Sequence, residues 1–483
     1  MNGSTELRDL PAGWRWVQLG EVCDKITDGT HHSPTNGPSG QFKYVTAKNI
    51  KPWGLDLTDI TYVEEDVHRE IYSRCDVRKD DVLFVKDGAT TGRVTVNHLD
   101  EEFSLLSSVG VLRPGKELLP KYLMYALQEP SVKDNMLANV AGVAITRLTL
   151  TKLKASAIPL APIEQQRHIV AEIEKQFSRL DEAIANLKRV KVNLIRYKAA
   201  VLKAAVEGKL TKEWRRGHPD VEPASKLLDL ILAKRQAKWE EAELAKMEAK
   251  GKVPKDDKWK RKYKGPVPPD MTDLPELPKG WQWSNFESAS ERVTVGHVGS
   301  MKDEYVEEGV PFLRSQNVRP NHYDAKGLKF ISQRFHERLE KSALSPGDIV
   351  VVRSGSVGVS CVIPDNLLAA NCSDLVIIKS PRAVLPAYGA YYINSVVETL
   401  VAAGKVGVAL THFNTQSVAQ LAVPVPPMSE QVRVVDEVDR RFSLVRETGE
   451  QVEANFKRAE RLRQAILVNS FVTNNKGLSY NSG

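Results

Sequence analysis

A chain that repeats itself must fold twice on one plan, and this one repeats over nearly its whole length. The opening Pro11-Ala12-Gly13-Trp14-Arg15-Trp16 returns as Pro278-Lys279-Gly280-Trp281-Gln282-Trp283, 267 positions later. Only eight tryptophans occur in 483 residues, so two matching pairs carry weight. YVTAKNI, from Tyr44 to Ile50, is answered by FLRSQNV, from Phe312 to Val318. DVLFVKDG, from Asp81 to Gly88, is answered by DIVVVRSG, from Asp348 to Gly355. Gly142-Val143-Ala144-Ile145-Thr146 matches Gly407-Val408-Ala409-Leu410-Thr411, after which the offset settles at 265. It holds through Pro159 and Pro162 (Pro424, Pro427), Phe177-Ser178 (Phe442-Ser443) and Arg196 (Arg461). The order never changes. This is an internal duplication.

Each copy has two parts. The first, residues 1–158 and 276–423, mixes short apolar runs with Gly, Pro, Asn and Asp turns. DVLFVKDGATTGRVTV and GDIVVVRSGSVGVSCVI read as β-branched strand pairs around a glycine turn. LPKYLMYALQ and LPAYGAYYINS read as helices that open after a proline. An α+β module is expected, made twice. Trp14, Trp16, Trp281 and Trp283 open these modules and read as core rather than as stacking platforms.

The second part, residues 159–208 and 424–474, predicts one long helix per copy. Apolar residues fall at Val170, Ile173, Phe177, Leu180, Ile184, Leu187, Leu194 and Val201, at heptad spacing, with Lys191 and Lys198 on the same seam. The second copy gives Val435, Val438, Phe442, Val445, Val452, Phe456 and Ile466, with Gly449 a weak point. About 45 residues at 1.5 Å each make a rod of roughly 65 Å with no core of its own. Pairing of the two helices buries both seams, and length permits either direction. Residues 209–275 form a linker with a charged helix, then GKVPKDDKWKRKYK, whose 14 positions hold seven basic and two acidic residues. That stretch reads either as a phosphate-touching segment or as a solvated connection. Residues 475–483 form a tail.

Composition excludes more than it selects. Hydrophobic residues make up 42%, enough to bury real cores, and net charge is +7, which suits a polyanion partner without requiring one. No apolar run is long enough to span a bilayer, and no signal peptide is expected. Cys23, Cys75, Cys361 and Cys372 have no metal-ligand spacing and suit a reducing cytoplasm. No GxxxxGK[ST], GxGxxG after a strand, HExxH or GxSxG occurs, and VPPD and VPPM do not satisfy the adenine-methyltransferase tetrad. His31-His32 has no third metal ligand in view. A binding subunit with no metal and no catalytic residue is expected.

Four features resemble, in order, the specificity subunits of type I restriction–modification enzymes. They are the LPAGWRW and LPKGWQW openings and the Lys/Arg-x-Gly turn of each module. Then come PLAPIEQQRHIVAEIE and PVPPMSEQVRVVDEVD at the start of each long helix, and the ending RYKAAVLKAAVEGKLT, matched by RAERLRQAILVNSFVTN. The resemblance implies two target-recognition domains, each reading one half of a bipartite, asymmetric double-stranded DNA site. It implies an antiparallel coiled coil between them, with a pseudo-twofold, acting as a ruler for the unread spacer. It implies two methyltransferase subunits that bind S-adenosylmethionine and methylate adenine at N6, and motor-nuclease subunits that use ATP and Mg²⁺. No cofactor is expected in this chain. A stand-alone architectural DNA-binding protein is the alternative, and a nuclease with scattered carboxylates a further one.

Base edges are read by bidentate Arg, Lys, Asn or Gln, and phosphates are held by Lys, Arg and small donors. On loops, those types occur in the first module at Thr30, His31, His32, Lys48, Asn49, Lys86 and Arg93. In the second they occur at Arg314, Gln316, Asn317, Arg319 and Arg353. Ordinary turn chemistry explains the same residue types equally well. The loops differ between copies (SPTNGPSGQF against MKDEYVEEGV), so two unlike half-sites are expected.

Overall fold

The structure is a computed structural model that describes residues 8–138, 147–252, 254, 256–272, 274–402 and 413–472. The Gly142–Thr146 and Gly407–Thr411 matches and the 475–483 tail lie outside the described residues. The chain divides into two compact units. One holds the described residues up to Val190 and from Gln451 onward, and the other is Lys191–Glu450. Each unit therefore contains one α+β module, the first half of one long helix and the second half of the other.

In the first unit, strand Arg15–Gln18 pairs antiparallel with Ala157–Leu160, which closes the module on itself. The central antiparallel sheet has the order Cys23–Asp28, Val109–Pro114, Val82–Val85, Val94–Val96. A second sheet places Phe42–Val45 between Thr61–Val63 and Ser104–Leu105. Val82–Val85 is buried on both faces, because it lies between the helical core on one side and the second sheet's core on the other. That burial is why the run is unbroken VLFV rather than alternating. The turn joining Val82–Val85 to Val94–Val96 needs φ of +94° at Gly88 and +87° at Gly92, which glycine adopts freely.

The second unit repeats this strand for strand. Its closing pair is Gln282–Asn285 with Ala422–Val425. Its central sheet has the order Ser290–Val295, Leu375–Pro381, Ile349–Val352, Ser360–Val362. Its second sheet adds Tyr305–Val306 outside Lys329–Ile331, Val310–Leu313 and Asn371–Cys372. Both expected helices form, Pro120–Gln128 with proline in the first turn and Pro386–Ala402. Each buries a tyrosine whose hydroxyl donates to a carbonyl of the closing strand: Tyr122 to Pro159 and Tyr388 to Pro424, both at 2.8 Å.

The long helices run Ile163–Val206 and Met428–Val472, 44 and 45 residues. Within the second unit, Lys198 lies over the Phe442 ring and Thr211, just beyond the end of the first long helix, meets Glu430 near the start of the second, so the first helix runs toward the beginning of the other. The pair is antiparallel. In the second helix the expected Val445 and Val452 are buried at mid-length, but the seam of the first helix is tight only near the modules. Ile173, Phe177 and Leu180 are buried, whereas Ile184, Leu187 and Leu194 are half-buried. At the helix starts the expected Val170 and Val435 are half-buried, and Ile169 and Val434 take the buried positions. The first turns pack on the module, which presents a different face from the one a helix partner would select.

The Glu-Gln signature has a structural cause. Gln166 and Gln431 are buried at the helix starts. The Gln166 amide donates to the carbonyls of Glu117 and Ala161 and accepts from the Leu119 N–H; Gln431 makes the same three contacts with Ala383, Pro426 and Leu385. One residue fastens the helix to the module. Beside it, the indole of Trp14 donates to Gln165 at 2.7 Å and that of Trp281 to Glu430 at 2.9 Å. Trp14 and Trp281 are core, as expected.

The linker is not a solvated connection throughout. Helix Ala224–Glu248 buries Ala224 and Leu228 in the second module's core. Trp239 further along it meets Trp259 and Tyr263, which pins the basic stretch back onto the helix and leaves Lys258, Arg261, Lys262 and Lys264 exposed.

Candidate nucleic-acid interface

Strand ends of both sheets meet at one end of each module. In the first, the Thr30 N–H donates to Leu105, the Ser107 N–H to Thr30, the Leu106 N–H to Val45 and the Lys86 N–H to Ser108. The turns beginning at Thr30, Thr46 and Lys86 thereby surround the 105–108 segment. In the second, the His297 N–H donates to Cys372, the Asp374 N–H to His297 and the Ser373 N–H to Leu313. The approach is so close that a Cβ on Gly29 would stand 1.9 Å from the Leu105 oxygen, and one on Gly296 2.7 Å from that of Cys372. Glycine is required at both, for the same reason.

Eleven of the twelve sequence-selected residues fall on loops or turns and Arg319 on the short strand Val318–Arg319, but their side chains divide. His31, His32 and Lys48 are exposed, and Thr30 and Arg93 are half-buried. Gln316 and Arg319 are exposed and Arg314 half-buried, with Arg314 and Gln316 both donating to the Gly327 carbonyl. Arg319 lies 3.5 Å from Asp324, and Arg353 pairs with Asp374 at 2.9 Å. These nine can meet a ligand.

Three are corrected. Asn49 and Asn317 are buried, and their amides are spent on the turn. Asn49 accepts from the Thr46 N–H at 3.0 Å and donates to the Asp56 carbonyl; Asn317 accepts from the Arg314 N–H at 3.1 Å and donates to that of Asp324. An amide with both ends occupied inside the protein has no edge left for adenine. Lys86 is also buried, paired at 3.1 Å with the buried Asp28. It neutralises a carboxylate and cannot reach DNA.

Sequence reasoning missed Arg74, the last residue of helix Glu65–Arg74. Its guanidinium donates to Asp28 at 2.8 Å and lies 3.0 Å from the Nε2 atom of His31. Nothing local signals this, since Arg74 is 46 residues from Asp28.

The opposite end of the sheet does not diverge. There Arg113 grips the buried Asp81 through two hydrogen bonds of 2.9 Å, and Lys379 pairs with the equivalent Asp348. Beside it, burial opposes ionisation of Asp76, yet Lys25, Arg113 and Arg78 outweigh it and hold that carboxyl down at about 2. All four cysteines are free, and burial pushes the thiols of Cys23, Cys75 and Cys361 up to about 12. Among the described residues no group of His, Cys, Asp or Glu could hold a metal, and no helix is long and apolar enough to cross a membrane.

Residues 11–193 match the family model described as the type I restriction modification DNA specificity domain. The chain is similar to the type I restriction enzyme EcoKI specificity subunit of Escherichia coli (strain K12), 23% identical over 96% of this chain and 89% of that protein. It is also similar to the putative MjaX specificity subunit of Methanocaldococcus jannaschii, 22% identical over 93% and 92%. The HsdS subunit of Thermoanaerobacter tengcongensis shares the fold, with a TM-score of 0.54 at 18% identity over 96% of this chain and 98% of that one. A chain from a structure titled for the complex assembly and conformational transition of the type I R-M system gives 0.62 at 19% identity, over 97% and 100%. Two like modules on paired helices, a frame kept at one end and loops varied at the other, accompany these matches: residues 11–193 match the DNA specificity domain, and nearly the whole chain is similar to type I restriction enzyme specificity subunits.

Proposed function

We propose that each module reads one half of a bipartite, asymmetric DNA site through its loop end, and that the helices set the unread spacer. The observation that carries this is the contrast between ends. The Asp81–Arg113 and Asp348–Lys379 pairs repeat at one end; at the other the Asn-closed turns repeat as backbone, while the exposed side chains carried there do not. A shared frame with unlike loops suits two readers of different sequences.

On this reading the chain is non-catalytic and works in the cytoplasm with methyltransferase subunits, which supply S-adenosylmethionine and adenine N6 methylation. Motor-nuclease subunits supply the ATP- and Mg²⁺-dependent steps. Ile195 and Leu444 on the long helices, 66% and 52% exposed, offer such partners apolar surface.

Selection from random DNA by the chain with its co-purified methyltransferase subunits is expected to return two different half-sites at a fixed spacing. A palindromic or featureless result overturns the reading. Seven residues inserted into the first long helix are expected to lengthen the preferred spacer or to abolish binding, and an unchanged spacer removes the ruler.

A further inference from the structure

The loop end of the first module holds a charged cluster built on Asp28, a carboxylate that the second module replaces with Val295. Asp28 ends a strand of the central sheet with its carboxylate buried. Lys86 neutralises it from inside the module at 3.1 Å, while Arg74 approaches from the solvent side at 2.8 Å. His31 stands 3.4 Å from the same carboxylate oxygen that Arg74 contacts. Arg74 remains half exposed, with 52% of its side chain open to solvent. One nitrogen of the guanidinium is thus pinned, and the rest of the fork faces outward.

Strand register fixes the equivalent positions in the second module. Asp28 pairs with Gly110 as Val295 pairs with Val376, so Val295 stands where Asp28 does. Arg113 donates to the Asp76 carbonyl as Lys379 donates to that of Ala343, so exposed Lys341 stands where Arg74 does. Val298 replaces His31 and is 67% exposed. The strands around the cluster and a basic side chain are retained, while the guanidinium, the orienting carboxylate and the imidazole are gone.

Those facts separate two uses of an arginine. Phosphate contacts carry no sequence information and ask only for positive charge. They need no orienting carboxylate, and Asp28 beside Arg74 weakens the attraction for a phosphate. A planar fork held in one orientation is instead what bidentate recognition of guanine O6 and N7 requires. A position that differs between otherwise matching readers is also where differing readout must come from. Resting on the DNA-reading function above, we propose that Arg74, oriented by Asp28, reads a guanine in the half-site of the first module.

The test uses the full chain with its methyltransferase subunits, comparing wild type, Arg74→Ala and Arg74→Lys by site selection and by binding at several salt concentrations. Both variants change an exposed side chain, and matching melting curves check that they fold. The expected result is a loss of about 10- to 100-fold preference at one G·C pair of one half-site, with the other half-site unchanged. Lysine keeps the charge without the fork, so it is not expected to restore the preference. An unchanged site in either variant overturns the proposal. So does equal weakening on all sequences with a shallower salt dependence, which marks a phosphate contact. A wild type that selects no bipartite site brings down the DNA-reading function itself, an outcome distinct from the failure of Arg74 alone.

Discussion

Arg215→Ala is expected to destabilise the second unit by about 3–5 kcal/mol, because it strands a buried carboxylate. Glu430, 1% exposed, accepts from Thr211 at 2.6 Å, from the Arg215 guanidinium at 2.7 Å and from the Trp281 indole at 2.9 Å. Arg215 itself is mostly shielded, so solvent screens the pair little, and its guanidinium also lies over the Trp281 ring. Urea unfolding gives the loss, and hydrogen exchange of the 208–216 and 428–431 segments places it. A loss below about 1 kcal/mol would make the pair an ordinary surface contact. The first unit suggests the remedy. There the equivalent residue is neutral Gln165, which still accepts from Trp14. Glu430→Gln added to Arg215→Ala is therefore expected to recover most of the loss.

Phe471→Ala is expected to cost the first unit a similar amount, about 3–5 kcal/mol, by a different route. The ring is fully buried in the last turn of the second long helix, with its centre 6.4 Å from that of Trp14 and 5.3 Å from that of Tyr122. Alanine leaves a cavity among rigid aromatic rings that cannot close over it. Faster hydrogen exchange in Pro120–Gln128 with Pro386–Ala402 unaffected would place the damage, whereas a loss below about 1 kcal/mol would show that the site collapses to fill the space.

The duplication, the glycine hairpins and the long helices were legible because each has a period or a match in the sequence. The readers were less so. Asn49 and Asn317 follow strands and stand near basic residues, as an adenine-binding amide would, but a turn-closing amide has the same address. Burial separates the two, and burial depends on strands distant in sequence. Lys86 failed for that reason also, since its partner Asp28 lies 58 residues earlier (86 − 28). Arg74 was invisible because a helix-ending arginine is ordinary until the fold sets it beside a buried carboxylate. The seam was legible in its spacing and misjudged by one residue at each helix start, where the module and not the other helix is the neighbour.

The sharing of helix halves has a consequence for how the chain emerges from the ribosome. The second unit is one continuous stretch, Lys191–Glu450, and can complete its core once that stretch is synthesised. The first unit cannot. Trp14 and Tyr122 are covered by Phe471, and Arg8 donates to the Phe471 carbonyl across 463 positions. The half of the protein made first is thus finished last, its aromatic core open until the final helix arrives.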